Sequence, residues 1–196
     1  MVRPAGGDRS GFALQAFGGF VINLPTTLKI DQTGQPPLEF RAEWASRPLD
    51  QPFYWAVRAR WRRADDGFEV QLLHHKMILK NPPPEIDNFE VTHGFNTVTA
   101  HYVKTFGWFD ARGGAGVVLP HPESVVRGRH HEASDYVLEG PVLLAGAGTE
   151  HVVADHFLLA AEMQFIAGRA TVTVHDGRAD VTSLGFHGLF GVGYLF

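Results

Sequence analysis

Apolar residues follow a strict two-residue period along the last thirteen residues of the chain, Leu184–Phe196. One set of alternate positions is aromatic or aliphatic apart from Gly188, and the other set is mostly glycine and leucine. Such alternation predicts a β-strand. The pattern is longer than a strand of a soluble sheet needs and fits a tilted strand that crosses a hydrocarbon layer, which takes ~9–11 residues.

The same alternation recurs through the chain, interrupted at short intervals by proline and glycine, which predicts antiparallel strands joined by turns. The expected hairpins are residues 38–47 with 53–62, 68–79 with 89–104, 107–118 with 136–148, and 156–168 with 182–196. We therefore predict an all-β fold, a closed antiparallel up-and-down transmembrane β-barrel of eight strands. The number becomes ten if residues 12–32 form an extra hairpin; both numbers are even, as in single-chain bacterial barrels.

A chain of alternating strands that ends on Tyr194 and Phe196 resembles the bacterial outer-membrane β-barrel superfamily, such as small OmpA-like or lipid A deacylase-like barrels. The resemblance implies a location in the bacterial outer membrane and recognition of Tyr194 and Phe196 by the barrel-assembly machinery. We expect residues 1–196 to form one barrel domain. Residues 1–11 would be its N-terminal extension, since Met1–Asp8 lack the apolar segment of a secretory signal.

The composition of the chain excludes several classes of function. The chain of 196 residues is 44% hydrophobic and has no run of eighteen apolar residues that would form a transmembrane helix. A net charge of −4 argues against nucleic-acid binding, and the lack of cysteine excludes disulfides, thiol catalysis and iron–sulfur clusters. We predict no cofactor and no metal. A soluble lipocalin-like barrel or sandwich remains the alternative fold, because an antiparallel sheet can also have one wet face.

Charged residues of both signs occupy the face opposite the apolar one. The predicted set is Glu39, Arg41, Glu43, Arg58, Arg60, Glu69, Glu90, Asp110, Arg112 and Glu162. Buried charges need partners, and a barrel of about eight strands has an interior just wide enough for side chains to fill. We therefore expect ion pairs that fill a polar lumen and close it to ions.

Loop lengths predict the orientation in the membrane. With the last strand running toward the periplasm, residues 80–88, 119–135 and 169–181 would lie outside the cell. Residues 63–67, 105–106 and 149–155 would form the short periplasmic turns typical of these barrels.

Three histidine and lysine side chains are the candidates for chemistry. If residues 79 and 88 face each other across the loop between them, His74 faces His93, and both share the lipid-facing side with Lys76. Outer-membrane lipid A deacylases resemble this arrangement, which makes His74 and His93 candidate catalytic residues, although the family's His-x-Ser element is absent. Two other interpretations are that these side chains lie near lipid headgroups, or that a β-bulge turns them into the lumen.

The polar stretch Pro120–Glu132 is a candidate binding loop. Its residues Arg127, Arg129 and His130, together with Lys76, could hold the phosphates of a glycolipid such as lipopolysaccharide, or a protein partner. The sequence thus predicts a small outer-membrane barrel with a structural, partner-binding or glycolipid-binding role. The alternative is an enzyme that modifies the acyl chains of lipid A or phospholipids.

Overall fold

The computed structural model describes residues 9–91 and 94–196. Within them the strands are β1 (Gly11–Asn23), β2 (Thr26–Gln32), β3 (Leu38–Ala42), β4 (Trp44–Ala45), β5 (Trp55–Arg63), β6 (Asp66–His74), β7 (Met77–Leu79), β8 (Ile86–Val91), β9 (Phe95–Phe106), β10 (Phe109–Pro120), β11 (Glu123–Val126), β12 (Arg129–Glu132), β13 (Pro141–Val153), β14 (Phe157–Val174) and β15 (Gly177–Leu195). No helix among these residues is long and apolar enough to cross a membrane.

Eight of these strands form a closed antiparallel barrel in the order β1-β5-β6-β9-β10-β13-β14-β15. The barrel closes where the first strand pairs with the last, from Ala13 opposite Leu195 to Asn23 opposite Gly185. Closure gives every strand two hydrogen-bonding neighbours, so the barrel itself has no free edge.

The start of β1 and the end of β15 lie at one end of the barrel, which we call the inner end. The three connections there are short: β5 to β6, β9 to β10, and β13 to β14. The opposite, outer end carries the long connections between β1 and β5, β6 and β9, and β10 and β13. This asymmetry between the two ends is the one that the sequence predicts.

The long connections fold into a second layer at the outer end, which we call the cap. Strands β12-β11-β8-β7-β4 form a five-stranded sheet, and β2 with β3 extends the barrel sheet beside β15. The β14–β15 hairpin rises above its neighbour β13, whose pairing with β14 stops at Gly168. The two sheets enclose apolar side chains, and the cap is therefore a packed structure instead of a set of open loops.

The number of barrel strands agrees with the prediction, but one member differs. Residues 12–22, expected at most as part of an extra hairpin, form β1 and close the barrel. Residues 38–47, expected to pair with 53–62, instead pair with β2 and β7 in the cap. Both stretches alternate, but only β1 runs for thirteen residues, whereas β3 spans five.

The outward face of the barrel is an apolar belt. On β1 its outward residues run from Phe12 to Ile22. These ten steps cover about 33 Å of strand and about 25 Å of height at the usual ~40° tilt, which matches the apolar band of membrane barrels. Exposed aromatic side chains ring the inner end: Phe12, Trp61, Phe68, Tyr102, Phe106, Trp108, Phe157, Tyr194 and Phe196. Aromatic girdles of this kind occur at the interface of bilayer and water.

We expect the purified protein to require detergent and to migrate faster on a denaturing gel when unheated than when boiled. The reason is that a closed barrel with an apolar outer belt resists unfolding by the gel detergent until it is heated. Comparison of heated and unheated samples checks this. A detergent-free, soluble monomer would contradict the membrane assignment.

Candidate functional site: the filled barrel and its outer wall

The inner half of the lumen holds eight acidic and basic side chains, which we call the charge cluster. They are Arg58, Arg60 and Arg62 on β5, Glu69 on β6, Asp110 and Arg112 on β10, Glu150 on β13 and Glu162 on β14. None is more than 8% exposed, and four positive charges face four negative ones. Alternation on each strand aims these side chains inward, so the cluster follows directly from the period of two.

Two glutamates connect the centre of the charge cluster. Glu69 lies 3.5 Å from Arg58, 3.7 Å from Arg62 and 3.8 Å from Arg112. Glu162 bonds both Arg58 and Arg112, with 3.1 Å between Arg58 Nη1 and Glu162 Oε2. Glu69 and Glu162 share Arg58 and Arg112, so each of these four charges has more than one opposite neighbour.

Further pairs extend the cluster toward the inner end. Arg62 Nη2 donates to Asp110 at 2.7 Å, and Arg60 Nη2 lies 3.0 Å from Glu150 Oε1. Amide side chains fill the spaces between the charges. Gln15 donates to Glu150 at 2.6 Å, and the Gln71 and Gln164 amides bond each other at 3.1 Å.

The outer half of the lumen is filled differently, by an apolar core that continues into the cap. The core includes Phe17, Leu73, Phe95, Val118 and Ile166 from the barrel, and Leu28, Ile30, Trp44, Met77, Ile86 and Phe89 from the cap. The lumen is thus filled, as predicted. It is polar in its inner half only and apolar in its outer half, because cap residues enter the barrel mouth.

A small polar group is enclosed within this apolar core. The Tyr54 hydroxyl lies 3.0 Å from His187 Nδ1, and His75 Nε2 lies 3.3 Å from Ser183 Oγ. The two imidazole rings meet edge to face at 5.0 Å. Both imidazoles are fully enclosed, with His75 1% and His187 0% exposed.

The structure brings together six of the ten residues predicted to line the lumen: Arg58, Arg60, Glu69, Asp110, Arg112 and Glu162. The other four lie in the cap. Glu39 and Arg41 are exposed on β3, Glu43 lies 3.5 Å from Lys80, and Glu90 on β8 accepts a hydrogen bond from Asn88. These four positions were assigned wrongly because residues 38–47 and 86–91 are not barrel strands.

Two members of the charge cluster were missing from the predicted set. Arg62 continues the alternation of Arg58 and Arg60, so the period of two already indicated its position. Glu150 falls within residues 149–155, which were expected to form a turn, whereas β13 continues to Val153. Extending the alternation of β13 by a few residues would have found it.

His74 lies on the outward side of the barrel wall, as predicted, but its partner differs. Leu73 pairs with Thr97, so the strand register brings His74 beside Asn96, not beside residue 93. His74 Nδ1 lies 2.8 Å from Asn96 Oδ1, and the imidazole stacks on Trp55 at 5.6 Å. The predicted partner His93 lies outside the described residues.

Lys76 does not share the lipid-facing side with His74. Its side chain is 5% exposed, and Nζ donates to the backbone carbonyls of Asp50 at 2.9 Å and Gln51 at 3.3 Å. Residues 75–76 leave the barrel wall between β6 and β7, which is why the expected alternation breaks there.

The predicted glycolipid-binding residues of the outer loop hold the cap together. Arg127 donates to Gln32 Oε1 and to the Pro36 carbonyl, both at 2.7 Å. Arg129 pairs with Asp176 at the tip of the β14–β15 hairpin. His130 is exposed, 3.7 Å from Glu123. Within residues 9–91 and 94–196, no group of three histidine or acidic side chains is arranged to hold a metal ion.

A closed eight-stranded barrel with an apolar belt and a filled lumen has the fold of the bacterial outer-membrane β-barrels, as predicted from the sequence. Solved structures agree. The outer membrane protein OprG from Pseudomonas aeruginosa has a TM-score of 0.52 and 13% identity, over 97% of this chain and 98% of that one. The outer membrane protein AlkL, in lipid bilayers, has a TM-score of 0.50 and 10% identity, over 100% of this chain and 95% of that one.

A third similar structure is Ail, the attachment invasion locus protein of Yersinia pestis, with a TM-score of 0.45 and 14% identity over 95% of this chain and 99% of that one. No protein-family model and no curated protein sequence matches the chain. At 13% and 10% identity, OprG and AlkL bear on the fold alone.

Proposed function

We propose that the protein is a non-conducting outer-membrane anchor that holds a rigid β-cap above the membrane, where the cap binds a partner. The observation that carries this proposal is that the lumen is filled along its length, by the charge cluster at the inner end and the apolar core at the outer end. A filled barrel leaves no continuous water path for a solute, and its function then resides on its surfaces.

The rigidity of the cap supports the second half of the proposal. Trp44 Nε1 donates to Thr26 Oγ1 at 2.8 Å inside the core, which joins the two sheets of the cap. Arg127 and Arg129 fasten the β11–β12 hairpin to β2 and to the β14–β15 hairpin. A surface fixed in this way binds a partner without first paying the entropic cost of ordering loops.

We expect the purified barrel to show no steady conductance in planar bilayers. The reason is that the paired charges and the apolar core exclude a water-filled channel. Single-channel recording checks this, with a known open porin as the positive control. Large, steady openings would contradict the anchor proposal.

The sequence suggests a glycolipid as the partner that the cap binds. This proposal is tested by measuring the capture of lipopolysaccharide by the detergent-solubilised protein. An Arg129→Ala/His130→Ala variant changes the cap surface, and Lys104→Ala changes an exposed cation at the inner end. Loss of capture in the cap variant alone supports a glycolipid partner. Equal capture by both variants excludes it and leaves the anchor role intact.

No observation on the described residues favours the alternative of a lipid-modifying enzyme. The hydrogen bond between His75 and Ser183 has the residue types of an acyl-transfer site, but the two side chains are 1% and 0% exposed. They lie inside the apolar core, where a lipid does not reach them.

A further inference from the structure

A cleft opens at the side of the cap, and we call it the acidic cleft. Its volume is about 230 Å³. Residues 171–173 of β14 form one wall. The facing wall belongs to β12 and the segment after it, with Pro120 and Pro122 beside them. The cleft is smaller than the usual range of about 300–1,000 Å³ for small-molecule sites, so it suits a side chain and the backbone next to it.

The β14 wall of the acidic cleft is an unpaired strand edge. Among residues 9–91 and 94–196, β14 pairs on this side with β13 alone, and only as far as Gly168. A side chain placed on Gly140 would meet the carbonyl oxygen of Arg169, which therefore points away from β15. Backbone groups two residues apart point the same way along an antiparallel strand. The N–H and C=O groups of Thr171 and Thr173 therefore face the cleft, and such an edge accepts a further strand.

Three carboxylates on the facing wall make the cleft negative. Glu132, Asp135 and Glu139 all line it. Asp135 accepts a hydrogen bond from the Ser134 hydroxyl at 3.0 Å. None of the three carboxylates forms an ion pair with another residue in the part of the chain that the structure describes. Their charge is therefore available to a cationic partner.

The positive groups beside the cleft do not offset these charges. Arg169 lies 3.2 Å from Asp180, on the neighbouring strand β15. His131 is the imidazole in the cleft wall. Burial, followed by the neighbouring His175 and His130, lowers the pKa of His131, which is therefore neutral at pH 7. The charge of the cleft thus favours lysine or arginine over a phosphate.

We propose that the acidic cleft binds an extended segment of a partner protein that carries lysine or arginine at alternate positions. The backbone of this segment would pair with the outward N–H and C=O groups of Thr171 and Thr173. Its cationic side chains would lie at Glu132, Asp135 and Glu139. In strand addition of this kind, main-chain hydrogen bonds supply the affinity and alternate side chains supply the specificity. The inference rests on the proposed function, because it names the kind of partner that the cap binds.

The test uses the full chain in detergent and a fluorescent peptide of four Thr-Lys repeats with blocked ends. We expect saturable binding with a Kd below about 1 mM. A version of the peptide that is N-methylated at every residue keeps its charges but donates no backbone hydrogen bond. It should bind at least about tenfold more weakly, because it cannot pair with the strand edge.

Two double variants locate the site. Asp135→Asn/Glu139→Gln removes two charges from the cleft and should weaken peptide binding about fivefold, the effect of losing two exposed ion pairs. The control is Glu85→Gln/Asp87→Asn, which removes two charges from exposed cap positions outside the cleft and should leave binding unchanged. Heat-dependent gel migration shows that both variants are folded.

Unchanged binding by the cleft variant, or an equal loss in the control, would overturn the cleft as the site. Equally tight binding of the N-methylated peptide would overturn strand pairing. Competition by lipopolysaccharide as strong as that by unlabelled peptide would overturn the assignment of a cationic peptide. If the peptide does not bind to a barrel that remains non-conducting, this inference fails and the anchor proposal stands.

Discussion

Replacing Arg58 with leucine should lower the free energy of unfolding by about 3–5 kcal/mol, the usual cost of removing one member of a buried ion pair. Arg58 contacts Glu162 and Glu69, donates to Gln71, and its guanidinium lies 4.4 Å from the centre of the Phe17 ring. The substitution leaves the two buried carboxylates short of a positive neighbour. Urea unfolding of the barrel in lipid vesicles measures the loss.

Two control variants show whether the loss comes from the positive charge, from the shape of the guanidinium or from the buried position. Arg58→Lys keeps the charge but not the planar group that bonds several acceptors, so a smaller loss is expected. Arg63→Leu removes an exposed cation from the same strand and should change stability by less than about 0.5 kcal/mol. If Arg58→Leu were as mild as Arg63→Leu, the charge cluster would not stabilise the barrel.

Deleting Phe196 should strongly reduce the amount of protein in the outer membrane while changing the stability of the refolded barrel little. The resemblance to outer-membrane barrels implies that the assembly machinery reads the terminal aromatic residue. In the fold, Phe196 packs on Phe12 at 5.7 Å and on Tyr194 at 5.0 Å, yet it is 67% exposed. Its partial burial is worth less than the ~1.5–3 kcal/mol of a fully buried side chain.

Surface labelling of cells and urea unfolding of refolded protein give the two measurements. Phe196→Tyr keeps an aromatic terminus and should assemble normally. Phe157→Ala removes another exposed aromatic of the inner girdle and should also reach the surface. Normal surface levels of the deletion variant would show that Phe196 is not the signal.

The barrel could be predicted from the sequence because its main determinant is local. Alternation decides which side chains face lipid and which face the lumen, and Arg58, Arg60 and Arg112 therefore follow from the period of two. Which strand pairs with which, by contrast, is not decided by the local sequence. The alternation of residues 38–47 is as regular as that of β1, and only the length of β1 and its pairing with the last strand exclude 38–47 from the barrel.

The position of His74 shows a second feature that could not be predicted from the sequence, the register between strands. Its outward side followed from alternation, but its neighbour depended on where β6 ends and β9 begins. The described residues that follow His74, up to residue 91, belong to the cap, so counting across that segment as a hairpin gave the wrong register. The hydrogen bond between His74 and Asn96 becomes visible only when the strands are placed side by side.

The β14–β15 hairpin gives the molecule a direct path for mechanical load. Its two strands pair without a shift in register from Phe157 opposite Tyr194 to Val174 opposite Gly177, a ladder of about 60 Å at ~3.3 Å per residue. One end of this ladder lies in the cap, and β15 also forms the seam with β1 that closes the barrel. A pull on the cap is therefore transmitted through continuous hydrogen-bonded strands, without a hinge, to the seam within the membrane.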